Sequence, residues 1–592
     1  MGTLFSRLGD FLHRRRPWYD LPRLLAMPRL IEIRNELRQK NLHDTEEPAL
    51  AQVDPATVDA KLKTQRTMEG THNDLAHPRM GSVGARFGRN VPLDHVSPDT
   101  ARLMEPNPRL VSRQLMTRHE FQPATILNLS AAAWIQFMVH DWFAHKRHSL
   151  SDGPVDIPLE ANDPWPYRPM RIRRTMKDDA VAGSTRPPAY ANQVTHWWDG
   201  SQVYGVDAET LAKLRTFSGG KLKIEADGKL PIDPENGLDL TGVADNWWVG
   251  ISLFHHLFAA EHNAICSMFA AKHPAWDDEE LFQKARLVNA ALMAKIHTVE
   301  WTPAIVPHPV IKIAMNANWQ GLAGENLQDV FEFLNDQEIL GGIVGSATDH
   351  HGAPYSLTEE FVSVYRMHPL MPDNLQFRAW KDDRVLEDRE LPDVHARMTR
   401  SFMNRHTFAD LWYSMGRMHP GAIRLHNYPR FLQDHTRDSG EHFDLAMIDI
   451  FRDRERGVPR YNEFRRLIRK EPVKSFEELT DHAVWREEIR ALYGGDLEKV
   501  DLMVGLFAEP LPAGFGFSET ALRIFVLMAS RRLKSDRFYT SDYRPAIYTQ
   551  EGLDYVRNNG LKSVLIRHMP ELKPVLDKVG NPFEPWPAAK GN

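Results

Sequence analysis

A chain of 592 residues, 42% hydrophobic and 26% charged with a formal net charge of −6, has the composition of a folded globular protein and lacks the basic excess of a nucleic-acid-binding surface. Its single cysteine, Cys266, excludes an intrachain disulfide and any cysteine-only metal site, which fits a reducing, cytoplasmic compartment. No Ser/Gly-rich linker, low-complexity block or internal repeat divides it, so residues 41–592 read as one large body behind an N-terminal segment of residues 1–40.

The first predicted element is a basic amphipathic helix. Leu4, Phe5, Leu8, Phe11 and Leu12 recur at helical spacing against Arg7, Arg14, Arg15 and Arg16, a pattern that suits either docking onto the body or peripheral contact with a membrane surface. The stretch has no apolar core followed by a small-residue cleavage site, so it does not read as a secretory signal. The region from about residue 40 to about 120 is rich in Pro, Asp, His and Arg with little periodicity and is expected to wrap the body as loop. The longest uncharged run, Phe121 to Val139, holds Gln122, Pro123, Asn128 and Gln136 and therefore reads as a buried helix rather than a membrane span.

Leu127 to His145, LNLSAAAWIQFMVHDWFAH, is helical by its Ala, Leu and Met content and apolar spacing. His140 and Asp141 are adjacent, so on a helix they point about 100° apart and serve different ligands. Gln136, four residues earlier, shares the face of His140. A buried histidine capped by its neighbour is the plainer use of the same residues. Further on, Thr195 to Ser201, THWWDGS, offers the hydroxyls of Thr195 and Ser201, the carboxylate of Asp199 and the carbonyl of Trp197 at alternating positions. Alternate residues of an extended loop point the same way, and Ca2+ takes about six to eight such oxygens, with Asp141 able to complete the set. Loops of this composition are also ordinary turns.

The stretch Glu359 to Asp373, EEFVSVYRMHPLMPD, sets Tyr365 and His368 three residues apart. On one helix they stack on one face, with Cβ atoms about 5–6 Å apart. A histidine can hold a haem iron, and a tyrosine one turn away can lose an electron to the oxidised haem. A core histidine with a packing tyrosine is the common alternative.

Together these stretches resemble the peroxidase–cyclooxygenase superfamily, the animal-type haem peroxidases. Gln136, His140 and Asp141 match its distal histidine motif, and Thr195, Trp197, Asp199 and Ser201 its calcium loop. Glu261-His262-Asn263, IDIFRDRERGVPRYNEFR from Ile448 and VDLMVGLFAE from Val500 follow in the family's order. Within the superfamily the chain is most similar to the fatty-acid α-dioxygenases, through VYRMH at 364–368, AKIHTVEWT from Ala294, ASRRLKSDRFYT from Ala529 and the N-terminal WYDLPRLL.

The resemblance implies a mainly α-helical, single large domain around a buried haem. His368 is then the proximal iron ligand, with Asn427 as its hydrogen-bond partner, and His140 the acid–base group, oriented by Gln136. Calcium falls to Asp141, Thr195, Trp197, Asp199 and Ser201. Val139 stands where related peroxidases have an ester-forming acid, Trp247 and Trp248 where they have a second anchor, and Ala244 or a near neighbour where they have a distal arginine. A non-covalent haem b is therefore expected.

The implied activity is that of a fatty-acid α-dioxygenase. A peroxide activates the enzyme, a Tyr365 radical removes the α-hydrogen of a long-chain fatty acid, and O₂ adds to give a 2-hydroperoxy acid. The resemblance supplies His297, Thr302, Arg531 and Arg532 for the substrate carboxylate. On a regular helix His297 and Thr302 lie about 140° apart, so the chain must bend to bring them together. Adjacent arginines cannot both face the substrate, and Arg532 is taken as the partner because a guanidinium pairs both carboxylate oxygens. A plain haem peroxidase, a dioxygenase attacking a mid-chain carbon and a non-catalytic haem carrier are the alternatives. The chain is expected to act as a monomer and to bind no nucleic acid.

Overall fold

Helices dominate the computed structural model, which describes residues 16–46, 49–97, 103–178, 187–322, 337–437 and 440–589. The amphipathic stretch from Leu4 to Leu12 lies outside these residues. Seven helices matter for the site: α1 (Arg23–Lys40), α2 (Ser130–Trp142), α3 (Val249–Lys272), α4 (Asp278–Ile296), α5 (Glu359–Val364), α6 (Leu445–Glu455) and α7 (Glu519–Ser535). Sheet is limited among the described residues to three two-stranded antiparallel ribbons: β1 (Val155–Ile157) with β2 (Met170–Ile172), β3 (Asn374–Arg378) with β4 (Val385–Glu390), and β5 (His435–Thr436) with β6 (His442–Phe443). No described helix is long and apolar enough to cross a membrane.

Local chemistry starts these helices. The Asp277 carboxylate caps α4 by accepting the Glu280 N–H at 2.8 Å, and Asp278, Glu279 and Glu280 put negative charge on its positive end. Thr358 caps α5 through the Phe361 N–H, and Ser518 caps α7 through the Ala521 N–H. α3 is buried on every side from Val249 to Ala259, as a helix apolar all round must be, and it packs between α2 and α4. α1 lies against α7, with Arg38 donating to Ser530 Oγ at 2.9 Å, so residues 23–40 are built into the same core as the body. Between residues 40 and 120 the described helices are as short as Ala60–Thr64 and Pro108–Val111, in keeping with the loop expected there.

One expectation fails. Tyr365 and His368 do not share a helix: α5 ends at Val364, Tyr365 is its C-cap at φ −88°, ψ 8°, and His368 opens a separate 3₁₀ turn, His368–Leu370. The helix gives way to tighter bonds, the Arg366 N–H donating to the Ser363 carbonyl and the Met367 N–H to the Tyr365 carbonyl, and Pro369 has no N–H with which the ladder could resume onto Tyr365.

α5 is held at its first turn by two buried ion pairs. Glu359 faces His145 Nε2 at 3.0 Å and Arg456 at 3.6 Å, while Glu360 accepts from Arg89 Nε at 2.8 Å and from the Asn90 N–H at 2.6 Å. Replacing one partner of such a pair leaves an uncompensated buried charge, so Glu360→Ala is expected to destabilise the fold by about 3–5 kcal/mol, read from the shift of the urea unfolding midpoint.

Candidate active site

Tyr365 is buried, with its ring 4.6 Å from Phe361, 4.5 Å from Phe525 and edge-on to Trp142 at 5.2 Å between centroids. Burial pushes its phenol well above the ordinary value, against the opposing charge of Arg532. It therefore stays protonated and can give up its hydrogen only together with an electron.

His368 presents a partly open side chain, 35% exposed, among the buried Tyr365, Met367, Pro369 and Leu370. Its Nδ1 lies 2.7 Å from Asp449 Oδ2 on α6, in contact although off the line of the ring N–H. Asp449 also accepts from Arg366 Nη1 at 2.7 Å and from the Tyr428 hydroxyl at 2.9 Å. Burial alone would push this carboxyl up, but His368, Arg366 and Tyr428 outweigh it and hold it below the ordinary carboxylate value. Asn427, expected beside His368, is engaged elsewhere: its Oδ1 accepts from Arg118 Nε and the Gln122 N–H, and its Nδ2 donates to the Gln122 and Ala422 carbonyls. Arg118 in turn holds the Pro369 and Met371 carbonyls, so Asn427 supports the histidine turn from one layer out. Sequence reasoning missed Asp449. The signal was the acid pair Asp449 and Asp453, one helical turn apart and both ion-paired with Arg366.

His140 sits near the end of α2, its buried Nδ1 without a partner, and burial pushes it down to about 4 against the opposing charge of Asp245. The ring is neutral near pH 7 and free to take a proton. Gln136 does not orient it here, because its Oε1 accepts from Trp248 Nε1 at 2.7 Å and its Nε2 donates to the Asn246 carbonyl at 3.1 Å.

The loop from Thr195 to Ser201 meets α2 at Asp141, whose Oδ1 accepts the Ser201 N–H at 2.5 Å, while Asp199 Oδ1 accepts from Ser201 Oγ at 2.6 Å. The second oxygens of both carboxylates are buried without a hydrogen bond, Asp199 Oδ2 facing Arg286 Nη2 at 3.7 Å, and the Thr195 and Ser201 hydroxyls are 3.5 Å apart. Burial, and then the Asp199 charge, push the Asp141 carboxyl well above its ordinary value. Trp197 packs against Tyr355, whose hydroxyl donates to the His196 carbonyl at 2.8 Å. The loop thereby joins α2 to the segment leading into α5.

His297 opens a π-helical segment, His297–Trp301, after α4. In such a turn the backbone bond closes from i to i+5, and the Thr302 N–H and hydroxyl both donate to the His297 carbonyl. The bend needed to bring His297 and Thr302 onto one side is this turn, although the Thr302 proton is spent on the main chain. His297 Nδ1 accepts from Trp134 Nε1 at 3.2 Å, which leaves its own proton on Nε2. The two arginines divide their duties. Arg531 donates to the Ser356, Ala353 and Pro354 carbonyls. Arg532 lies 4.1 Å from the Trp142 ring and 4.3 Å from the Trp198 ring, with Nε and Nη2 buried and without partners.

A sequence model of the animal haem peroxidase family matches residues 65–579. The chain is 39% identical to an alpha-dioxygenase of Oryza sativa subsp. japonica, over 99% of this chain and 96% of that one, and 38% identical to alpha-dioxygenase 1 of Arabidopsis thaliana, over 96% and 90%. Its fold superposes with a TM-score of 0.91 on the crystal structure of an Oryza sativa fatty acid alpha-dioxygenase variant with palmitic acid, at 38% identity, covering 99% of this chain and 97% of that chain.

Buried titratable groups outside the iron and calcium positions set the pH dependence of the fold. Burial pushes His145 and His262 down to about 4, and Glu359 is held at about 2 by His145 and Arg456 against its own desolvation. All three bind fewer protons folded than unfolded, so the stability they contribute is fully present above about pH 6.5 and falls as acid titrates the unfolded imidazoles and then the carboxylate, while Glu300, pushed up to about 7 by burial, works in the opposite direction. Urea unfolding is expected to give a lower midpoint at about pH 5 than at about pH 7.5.

Proposed function

The chain belongs to the animal haem peroxidase family as a fatty-acid α-dioxygenase, and within that activity we propose the following division of labour among its residues. Tyr365 is the hydrogen acceptor. As a phenoxyl radical it takes a hydrogen atom from the α-carbon, O₂ adds to the carbon radical, and the peroxyl radical takes that hydrogen atom back from Tyr365 to give the 2-hydroperoxy acid and restore the phenoxyl radical; the product can lose CO₂ and water to leave an aldehyde one carbon shorter. Arg532 and the Nε2 proton of His297 hold the substrate carboxylate. Thr302 joins them when its hydroxyl turns away from the His297 carbonyl.

The family implies haem, and the residues fit it. A half-open imidazole braced at Nδ1 by Asp449 is the donor a proximal site needs, since such a brace orients the ring and raises its basicity. When bound, the haem supplies the one-electron oxidant. His140, neutral at working pH, takes the proton from one oxygen of an activating peroxide and returns it to the other. Non-covalent attachment is supported by Val139, which has no carboxylate to form an ester. For Ca2+, the support is the pair of orphaned buried oxygens on Asp141 and Asp199, with the Thr195 and Ser201 hydroxyls and the Trp197 carbonyl beside them. Arg286 Nη2 lies 3.7 Å from Asp199 Oδ2, and a bound cation would satisfy the carboxylate oxygens that no hydrogen bond reaches. A cytoplasmic location is supported by the single cysteine, and any peripheral membrane contact falls to residues 1–15.

The observation that carries the reading is Arg532. Two of its buried nitrogens have no hydrogen-bond acceptor, which a carboxylate would supply, and the rings of Trp142 and Phe361 separate it from Tyr365. With palmitate the purified protein is expected to consume O₂ and yield 2-hydroperoxypalmitate or pentadecanal, while Tyr365→Phe keeps its Soret band and loses O₂ uptake. Oxygen found only at mid-chain carbons of a polyunsaturated acid, with palmitate inert, overturns the assignment. The proximal brace has its own measurement: Asp449→Ala is expected to weaken haem binding by roughly 10–100-fold in a haem titration, and unchanged affinity removes Asp449 from the role.

A further inference from the structure

Among the described residues Trp142 makes ring contacts with the hydrogen acceptor and with both groups assigned to the carboxylate, whereas Phe361 contacts Tyr365 at 4.6 Å and Arg532 at 5.6 Å but has no described ring contact with His297. Trp142 is fully buried at the last position of α2. Its ring lies edge-on to Tyr365 at 5.2 Å and to His297 at 5.1 Å, and the Arg532 guanidinium carbon lies 4.1 Å from its centroid. Its main-chain carbonyl accepts from Asn192 Nδ2 at 2.8 Å, so the backbone that carries the ring is fixed as well. Trp198 stands at 82° to it, 5.7 Å away, and also contacts Arg532, at 4.3 Å. The guanidinium is thus seated in the corner of two perpendicular indoles, where cation–π attraction defines its position along two directions. Trp198 has a ring contact with His297 at 5.3 Å; its described ring contacts do not include Tyr365.

Choosing the α-carbon over the β-carbon is a matter of length. The enzyme must fix the separation between the carboxylate anchor and the phenolic oxygen to better than one carbon of an otherwise featureless chain. A misplacement of about 1 Å in such an arrangement can cost about 100-fold in rate. We infer that Trp142 is the spacer that sets this separation and so determines attack at carbon 2. It is a positioning residue: its face fixes Arg532, its edges fix Tyr365 and His297, and it takes no part in the chemistry. The inference rests on the carboxylate and tyrosine roles proposed above.

The test compares Trp142→Phe with Trp198→Phe in haem-loaded protein, reading the position of oxygen in the product, kcat and KM separately, and palmitate affinity by calorimetry. Wild type making only the carbon-2 product establishes the underlying reading, and wild type failing to do so removes that reading and this inference together. Given the wild-type result, Trp142→Phe is expected to retain its Soret band and to bind palmitate within about threefold of wild type, to lose at least about tenfold in kcat, and to release product oxygenated at carbon 3 as well as carbon 2. Trp198→Phe loosens the anchor without moving the tyrosine, so it is expected to raise KM and the dissociation constant while product stays at carbon 2. Should Trp142→Phe fail to bind haem, Trp142→Tyr is read in the same way. Carbon-2 product alone from the Trp142 variant, at kcat within about twofold of wild type, overturns the inference, as does an equal loss of position from Trp198→Phe.

Discussion

Arg366 and the acids it pairs with fix the relation between the tyrosine and the histidine, on which the rest of the site depends. It follows Tyr365 directly, donates to Asp449 and Asp453 on α6, and is only 10% exposed beside these buried acids. Asp449 then reaches His368, and Asp453 accepts from Ser363 on α5. A buried charge without its partner costs several kcal/mol, so these contacts form together or not at all. They let the chain break between Tyr365 and His368 without losing the position of either. With Glu359 and Glu360 tied at the other end of α5, the segment that carries the chemistry is clamped by charge at both ends, which hydrophobic packing, being non-directional, cannot supply.

Around this clamp the site divides into an oxidising side and an anchoring side, joined by aromatic rings. The carboxylate of a fatty acid must leave water to reach a buried radical, and in a low-dielectric pocket only a directed cation makes that affordable. Arg532 is the residue proposed for this task, because Arg531, its neighbour, spends its terminal nitrogens on the Ser356, Ala353 and Pro354 carbonyls. His297 is a neutral donor beside it, kept uncharged by burial and by the same guanidinium, so the anchor carries one positive charge rather than two.

The loop from Thr195 to Ser201 connects the two sides. Asp141 ties it to α2, which carries His140 and Trp142, while the His196 ring accepts the Leu357 N–H and its carbonyl the Tyr355 hydroxyl, just before α5. A cation between Asp141 and Asp199 therefore bears on the distal helix and on the approach to Tyr365 at once. The Ca2+ proposed for this position would act as a structural brace, consistent with ligands that are already ordered by one another's hydrogen bonds.

The sequence by itself determined the helical class, the buried character of α2 and the identity of the residues able to do chemistry, because periodicity and side-chain type are local properties. The mainly helical fold and the family follow from those motifs. Local spacing could not decide how the residues meet. A helix of about 100° per residue predicts Tyr365 and His368 stacked and His297 and Thr302 apart; the end of α5 at Val364 breaks the first geometry and a π turn changes the second. Whether Asn427 or Asp449 faces His368, whether Gln136 serves His140 or Trp248, and which of two adjacent arginines is left unpartnered depend on side chains arriving from distant parts of the chain. Those choices belong to tertiary structure, because each polar group takes the nearest partner that packing delivers once burial has removed water as an alternative.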